Sequence, residues 1–159
     1  KGIVMTPRLL TLNFLTLNHY FMFQFARLWK PLQTLILSTT GLQGSIPPSI
    51  WQLPHLRKLV IEDLNVVETV DNHPYDPRPY KLQGSLPSTF GFCGAAGSTI
   101  EHMSIDGINL TGHIPPSIGT CASLQNLDLS HTSLEGPIPS SLGNLTHLQT
   151  LYLQNNKLT

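Results

Sequence analysis

Apolar residues recur along most of the chain with a constant spacing. Five segments share the pattern apolar-x-x-apolar-x-apolar, and they begin at Leu32, Leu56, Ile100, Leu124 and Leu148. Three of the four steps between successive segments are 24 residues long. The last two apolar positions of each segment alternate with outward positions, which predicts a short β-strand. A repeated step in one register predicts stacked coils whose strands form a parallel sheet.

A second pattern, Gly-x-apolar-Pro, follows four of these segments. Its copies span residues 44–47, 84–87, 112–115 and 136–139. Glycine allows a positive φ and proline fixes φ without a donor, so the pattern predicts that the chain turns away from the sheet. Apolar residues three apart come next, as in Ile50 and Leu53, which favours a 3₁₀ or short helical outer wall.

The combined unit resembles the plant-type leucine-rich repeat of receptor-like kinases, receptor-like proteins and secreted polygalacturonase inhibitors, and the match runs from Leu32 to Thr159. The resemblance implies an α/β fold, a right-handed leucine-rich-repeat solenoid with a parallel β-sheet on its concave face. It also implies a non-catalytic recognition module at the cell surface or in the cell wall, which binds a peptide, glycan or protein. The alternative is a secreted inhibitor of a cell-wall polysaccharide hydrolase, which a downstream transmembrane helix would exclude.

Residues 1–31 fit the repeat poorly. Polar residues interrupt their apolar stretch at Asn13, Asn18, His19, Gln24 and Arg27. We therefore expect neither a membrane-spanning helix nor a signal peptide there. A degenerate first coil built on Leu12, Leu15 and Leu17 is the favoured interpretation, and an unrelated leader is the alternative. Residues 32–159 hold about 4.5 coils, so the chain resembles a fragment, with any membrane anchor or kinase domain beyond Thr159.

Charge and motifs make several function classes improbable. The formal net charge is zero and charged residues make up 11% of the chain, which does not favour a nucleic-acid partner. The sequence holds no catalytic-triad, phosphate-loop or kinase motif. Its seven histidines show no metal-ligand spacing, so we expect no metal site, cofactor or enzymatic activity in these residues.

Cys93 and Cys121 occupy the same outer-wall position in neighbouring coils, a position that Leu53 and Leu145 fill elsewhere. They could therefore lie near each other. Cysteine often serves as a small buried apolar residue, and we expect this role rather than a disulfide.

The solvent-facing strand positions predict the candidate binding surface. Neighbouring coils lie about 4.8 Å apart, so equivalent positions form columns across the sheet. These columns and the residue after one of them supply six candidates for ligand binding: Lys58, Glu62, Asp63, His102, Asp106 and Asp128. Adjacent acids cost stability, which hints at a ligand-facing role; an ordinary solvated face is the alternative.

The second coil carries an insertion at residues 66–81. Its prolines limit its freedom, and it presents Tyr75, Arg78 and Tyr80, which we expect to overhang the acidic part of the sheet. The alternative is a tolerated surface detour.

Two Asn-x-Thr tripeptides, at Asn109 and Asn144, satisfy the N-glycosylation rule and favour secretion.

The position three residues after the last apolar residue of each segment predicts how the turns are stabilised. It is occupied by Thr40, Leu64, Ile108, Thr132 and Asn156. An asparagine there can bond to turning backbone groups and a threonine can do so in part. The aliphatic residues cannot, so we expect an irregular backbone or bound water in coils two and three.

Overall fold

The computed structural model describes residues 4–6, 9–11, 32–38, 44–62, 82–94 and 97–159. The predicted first coil on Leu12, Leu15 and Leu17 and the insertion at residues 66–81 lie outside these ranges. The strands are β1 (Val4–Thr6), β2 (Leu9–Thr11), β3 (Thr34–Ser38), β4 (Gly44–Ser45), β5 (Lys58–Glu62), β6 (Leu82–Ser85), β7 (Cys93–Gly94), β8 (Gly97–Ser98), β9 (His102–Asp106), β10 (Asn109–Gly112), β11 (Asn126–Asp128), β12 (Ser133–Gly136), β13 (Thr150–Tyr152) and β14 (Lys157–Leu158). The 3₁₀ helices are η1 (Pro48–Gln52), η2 (Pro116–Thr120) and η3 (Ser140–Asn144).

The five predicted strands form one parallel sheet in the order β3, β5, β9, β11, β13. The predicted columns are confirmed, because Thr34, Lys58, His102, Asn126 and Thr150 pair in register. This first sheet is the concave sheet of the solenoid. β2 extends it in parallel beside β3, and β1 pairs antiparallel with β2.

A second parallel sheet, which the sequence analysis did not predict, runs in the order β14, β12, β10, β6, β4. Its strands contain the x-Leu-x-Gly segments, in which leucines such as Leu110 and Leu134 are fully buried and their neighbours face outward. The chain does leave the first sheet as predicted, but its backbone then pairs with the equivalent segment of the next coil. Gly112 and Gly136 end their strands with φ of 84° and 76°, which explains the glycine at this position.

The outer wall consists of the predicted short helices. η1, η2 and η3 each follow an extended proline, and each ends where the N–H of Leu53, Cys121 or Leu145 donates to the carbonyl three residues earlier. η2 and η3 pack closely, because a Cβ on Gly119 would lie 2.4 Å from the carbonyl oxygen of Ser141. Among the described residues no helix is long and apolar enough to span a membrane.

The core lies between the two sheets and the outer wall. The inward leucines and isoleucines of the first sheet, among them Leu35, Leu59 and Leu127, are fully buried. They form one continuous cluster with the buried residues of the second sheet and of the helices. The buried side chains of each coil therefore pack against those of the adjacent coils, as expected for a solenoid.

Asn156 confirms the predicted role of its position. Its amide nitrogen donates to the carbonyls of Leu129 (2.7 Å) and Leu153 (3.1 Å), and its amide oxygen accepts from the N–H of Leu134 at 3.0 Å. Thr132 bonds only to the Leu129 carbonyl and to Asn156 itself.

Ile108, at the same position in coil three, has no polar group to offer. The N–H of Leu110 donates instead to the carbonyl of Ile108 at 2.9 Å, which closes a tight turn. Thr40 and Leu64 lie outside the described residues.

Cys93 and Cys121 form a disulfide, with Cα atoms 4.5 Å apart. The expectation of two unbonded buried thiols was therefore wrong. Equivalent outer-wall positions of successive coils lie side by side, so two cysteines there are placed for bonding as well as for packing. The Thr120 hydroxyl, which donates to the Cys93 carbonyl at 3.1 Å, adds a second link between η2 and the β7 strand.

Candidate functional site

The first sheet places the predicted acids next to one another. Glu62 and Asp106 end β5 and β9 and pair in register, while Lys58 and His102 pair at the opposite ends of the same strands. Asp128 ends β11 and pairs with Ser104. Asp63, Tyr75, Arg78 and Tyr80 lie outside the described residues, so their placement over this face stays a prediction.

Two residues that the sequence analysis did not select connect the acids. Nδ1 of His131 lies 2.9 Å from Oδ1 of Asp106. The Ser130 hydroxyl lies 2.5 Å from Oδ1 of Asp128 and 3.2 Å from Oδ1 of Asp106. The Ser130 N–H also donates to Asp128 at 2.9 Å. We call these four residues, Asp106, Asp128, Ser130 and His131, the rim network.

Backbone conformation presents His131 at this rim. Its φ is 49°, and the equivalent residues of the neighbouring coils, Gly107 and Asn155, have φ of 68° and 57°. The chain therefore turns through the left-handed region after each of these strands. Glycine, asparagine and histidine tolerate this region better than most residues. That shared property is the sequence feature from which the position could have been recognised.

The charges on this face of the sheet are unequal, and the acids lie at one end of its strands while Lys58 lies at the other. Glu62, Asp106 and Asp128 contribute three carboxylates to the described part of the face, against the single ammonium of Lys58. The hydrogen bonds of Ser130 and His131 hold Asp106 and Asp128 in place. His131 is well exposed and Asp106 partly so, with 43% and 38% of their side-chain surfaces accessible. A ligand can therefore reach the carboxylates.

The serine and histidine side chains of the rim network are not hydrogen-bonded to each other. The Ser130 hydroxyl bonds to two carboxylates, and His131 is turned towards Asp106, so the pair lacks the serine–imidazole contact of a catalytic triad. In the ranges that the structure covers, no group of three or more His, Cys, Asp or Glu residues could hold a metal ion.

The two glycosylation candidates have different environments. Asn109 begins β10 in the second sheet, where it is half-buried and pairs with Gln83. Asn144 is exposed at the end of η3 on the outer wall. Neither residue belongs to a strand of the first sheet.

Comparison with known proteins identifies the repeat. Leucine rich repeat family models match residues 99–158 and residues 31–53, which together exceed half of the chain. A comparison with curated protein sequences found no significant match.

Several solved structures share the fold. The ectodomain of the plant receptor kinase GASSHO1/SCHENGEN3 from Arabidopsis thaliana, in complex with CASPARIAN STRIP INTEGRITY FACTOR 2, is 36% identical over 80% of this chain, with a TM-score of 0.62. The plant peptide hormone receptor RGFR1, in complex with RGF2, is 26% identical over 81%, with a TM-score of 0.58. The BIR3–SERK2 complex from Arabidopsis thaliana matches at 30% over 79%, with a TM-score of 0.58.

These matches span 13%, 17% and 56% of the chains compared. The present chain thus corresponds to a few coils of much longer arrays in the first two cases. The periodic sequence, the paired sheets and the family-model matches agree, and the chain belongs to the leucine-rich repeat family, with coils similar to those of plant receptor ectodomains.

Proposed function

We propose that this chain is an extracellular recognition module that binds a peptide or protein ligand on the concave sheet, as part of a plant receptor-like kinase or receptor-like protein. The observation that carries the proposal is the rim network beside Glu62, which concentrates accessible carboxylates at one edge of a rigid sheet. Among the similar structures, GASSHO1/SCHENGEN3 and RGFR1 are complexes with CASPARIAN STRIP INTEGRITY FACTOR 2 and RGF2.

The arrangement of the charges supports a ligand with a basic or hydroxyl-rich segment. The in-register pairing brings Glu62 and Asp106 side by side, where like charges are unfavourable without a partner. An arginine side chain could bridge two carboxylates with its planar fork. The contacts of Ser130 and His131 orient the neighbouring oxygens beforehand, which lowers the entropy lost on binding.

An extracellular location is supported by two independent features. Disulfides persist in oxidising compartments, and Cys93 and Cys121 are bonded. The sequons at Asn109 and Asn144 are acceptors of the secretory pathway.

The test uses peptides selected from a randomised library for binding to the wild-type protein. Their affinities are then measured calorimetrically for the double variant Glu62→Gln/Asp106→Asn. Removing both carboxylates deletes the attraction for a basic group, so we expect Kd to rise by about tenfold or more, which corresponds to about 1.4 kcal/mol. The variants keep the shape of the side chains, and the fold should be unchanged.

Glu135→Gln is the matched control, because Glu135 is an exposed acid of β12 on the second sheet. It should leave the affinity unchanged. The proposal would be contradicted if the peptides bound the double variant as tightly as the wild type but bound Glu135→Gln more weakly. That result would place the binding surface on the second sheet.

A further inference from the structure

A groove of about 400 Å³ lies on the second sheet, away from the acidic face. Its walls come from three coils through β4, β6 and β10, and Trp51 of η1 contributes to its lining. Trp51 is 3% exposed and lies edge-on to Phe90, with ring centroids 6.0 Å apart. Trp51 therefore packs beneath the groove and supports its floor.

The chemistry of the lining is neutral. Among the described residues, those that line the groove include no charged side chain. The lining combines hydroxyl and amide groups with apolar residues, of which Trp51 and Ile46 are buried and Pro48 and Pro87 are accessible. A carbohydrate offers the complementary surface, with hydroxyls on the ring edge and C–H groups on the ring face.

One of the lining residues is Asn109, the acceptor of the first sequon. Asn109 and Thr111 face outward from β10 on either side of the buried Leu110. A sugar attached to the Asn109 amide would therefore start inside the groove rather than in open solvent. We propose that the groove is the seat of the first sugars of an N-linked glycan on Asn109, which then binds three coils of the second sheet together.

The attachment precedes folding of this region. The Thr111 hydroxyl donates to the Gly84 carbonyl at 3.2 Å, and β10 is paired on both sides, so the folded sequon is not an open acceptor. In the unfolded chain, Nδ2 of Asn109 attacks C1 of a lipid-linked oligosaccharide diphosphate supplied by the secretory pathway. The N–C1 bond forms, the C1–O bond to the diphosphate breaks, and the amide nitrogen loses one proton.

Asn144 provides an internal comparison. It is exposed at the end of η3, and Thr146 of its sequon is exposed as well. A glycan there projects from the outer wall, remote from the groove lining. The two glycans should therefore differ in their accessibility and in their effect on stability.

The first test is native deglycosylation of the full-length protein isolated from plant cells, followed by peptide mass analysis. An amidase that cleaves the Asn–sugar bond should release the Asn144 glycan at least about tenfold faster than the Asn109 glycan. After denaturation both should be released at the same rate. Equal rates in the native protein, or an unmodified Asn109, would overturn the proposal.

The second test compares Asn109→Gln with Asn144→Gln in the same host. Loss of the seated glycan should lower Tm by about 2–4 °C and increase amide exchange in residues 82–85 and 109–112. Loss of the Asn144 glycan should change neither. If Asn109→Gln is not secreted, prolonged amidase treatment of the native wild-type protein removes the Asn109 glycan, and amide exchange of these strands is compared before and after its removal. Exchange that is identical with and without the Asn109 glycan would overturn the proposal.

Discussion

Asn156 shows how one side chain links neighbouring coils. Its amide satisfies a backbone N–H and a backbone carbonyl of coil four as well as a carbonyl of its own coil. This role is predictable from the sequence, because asparagine supplies both a donor and an acceptor where the chain turns. Ile108 at the same position shows the alternative, since the turn is closed there by the backbone alone.

Replacing Asn156 by alanine should destabilise the protein by about 1–3 kcal/mol, because the N–H of Leu134 and the carbonyl of Leu129 would lose their partner. Denaturant unfolding measures the difference. Gln154→Ala is the control, since Gln154 is an exposed residue of the same coil and surface substitutions usually stay within about 0.5 kcal/mol. Equal stability of the two variants would show that the asparagine bonds contribute nothing net.

His131 illustrates the part of the site that strand periodicity alone does not predict. The predicted columns contain only residues of alternating strand geometry, whereas His131 reaches Asp106 from a left-handed turn that follows the strand. Strand periodicity carries no information about that turn. Glu62, Asp106 and Asp128 were identified because they occupy outward positions of the repeated apolar-x-x-apolar-x-apolar segments, which align the strands in one register.

At the scale of the element, the first sheet and the outer wall were predictable and the second sheet was not. Strands of two and four residues, such as β4 and β10, are too short to show a clear alternation of apolar and polar residues in the sequence. Their pairing depends on the closeness of adjacent coils, which is a property of the stack. The disulfide was misjudged because the repeat position alone suits two buried thiols as well as a bonded pair, and the secretion signal of the sequons was not applied to the cysteines.

Removing the disulfide with Cys93→Ala/Cys121→Ala should lower the free energy of unfolding by about 3–4 kcal/mol, since the bond closes a loop with a sequence separation of 28 residues. Chemical denaturation with and without a reducing agent measures this. Wild type in reductant should approach the variant, and the variant should not respond to reductant. A wild type as stable in reductant as without it would show that the disulfide does not stabilise the fold.

At the scale of the whole molecule, the two sheets divide the surface into different chemistries. The first sheet carries acids at one edge, and the second carries a neutral groove that contains a sequon. The inserted segment of coil two begins four residues after Glu62, which motivates its predicted position beside the acids.

Replacing residues 66–81 by a two-residue link should weaken the binding of the selected peptides. Buried aromatic anchors typically contribute about 2 kcal/mol or more, whereas rim charges chiefly change the association rate. Tyr75→Ala and Tyr80→Ala should therefore raise Kd more than Glu68→Ala does, as measured by calorimetry. If the shortened protein binds the peptides with unchanged affinity, the insertion is a surface loop that takes no part in binding.

Ligand placement on the concave sheet can be measured by site-specific photo-crosslinking. Two labelled proteins are compared. In one, a photoreactive amino acid replaces Ser104, which lies between Val60 and Asp128 in the centre of the first sheet. In the other, it replaces Glu135 on the second sheet. We predict that the selected peptide crosslinks efficiently to the protein labelled at position 104 and that excess unlabelled peptide abolishes the product. Crosslinking confined to the protein labelled at position 135 would contradict the assignment of the concave sheet as the binding surface.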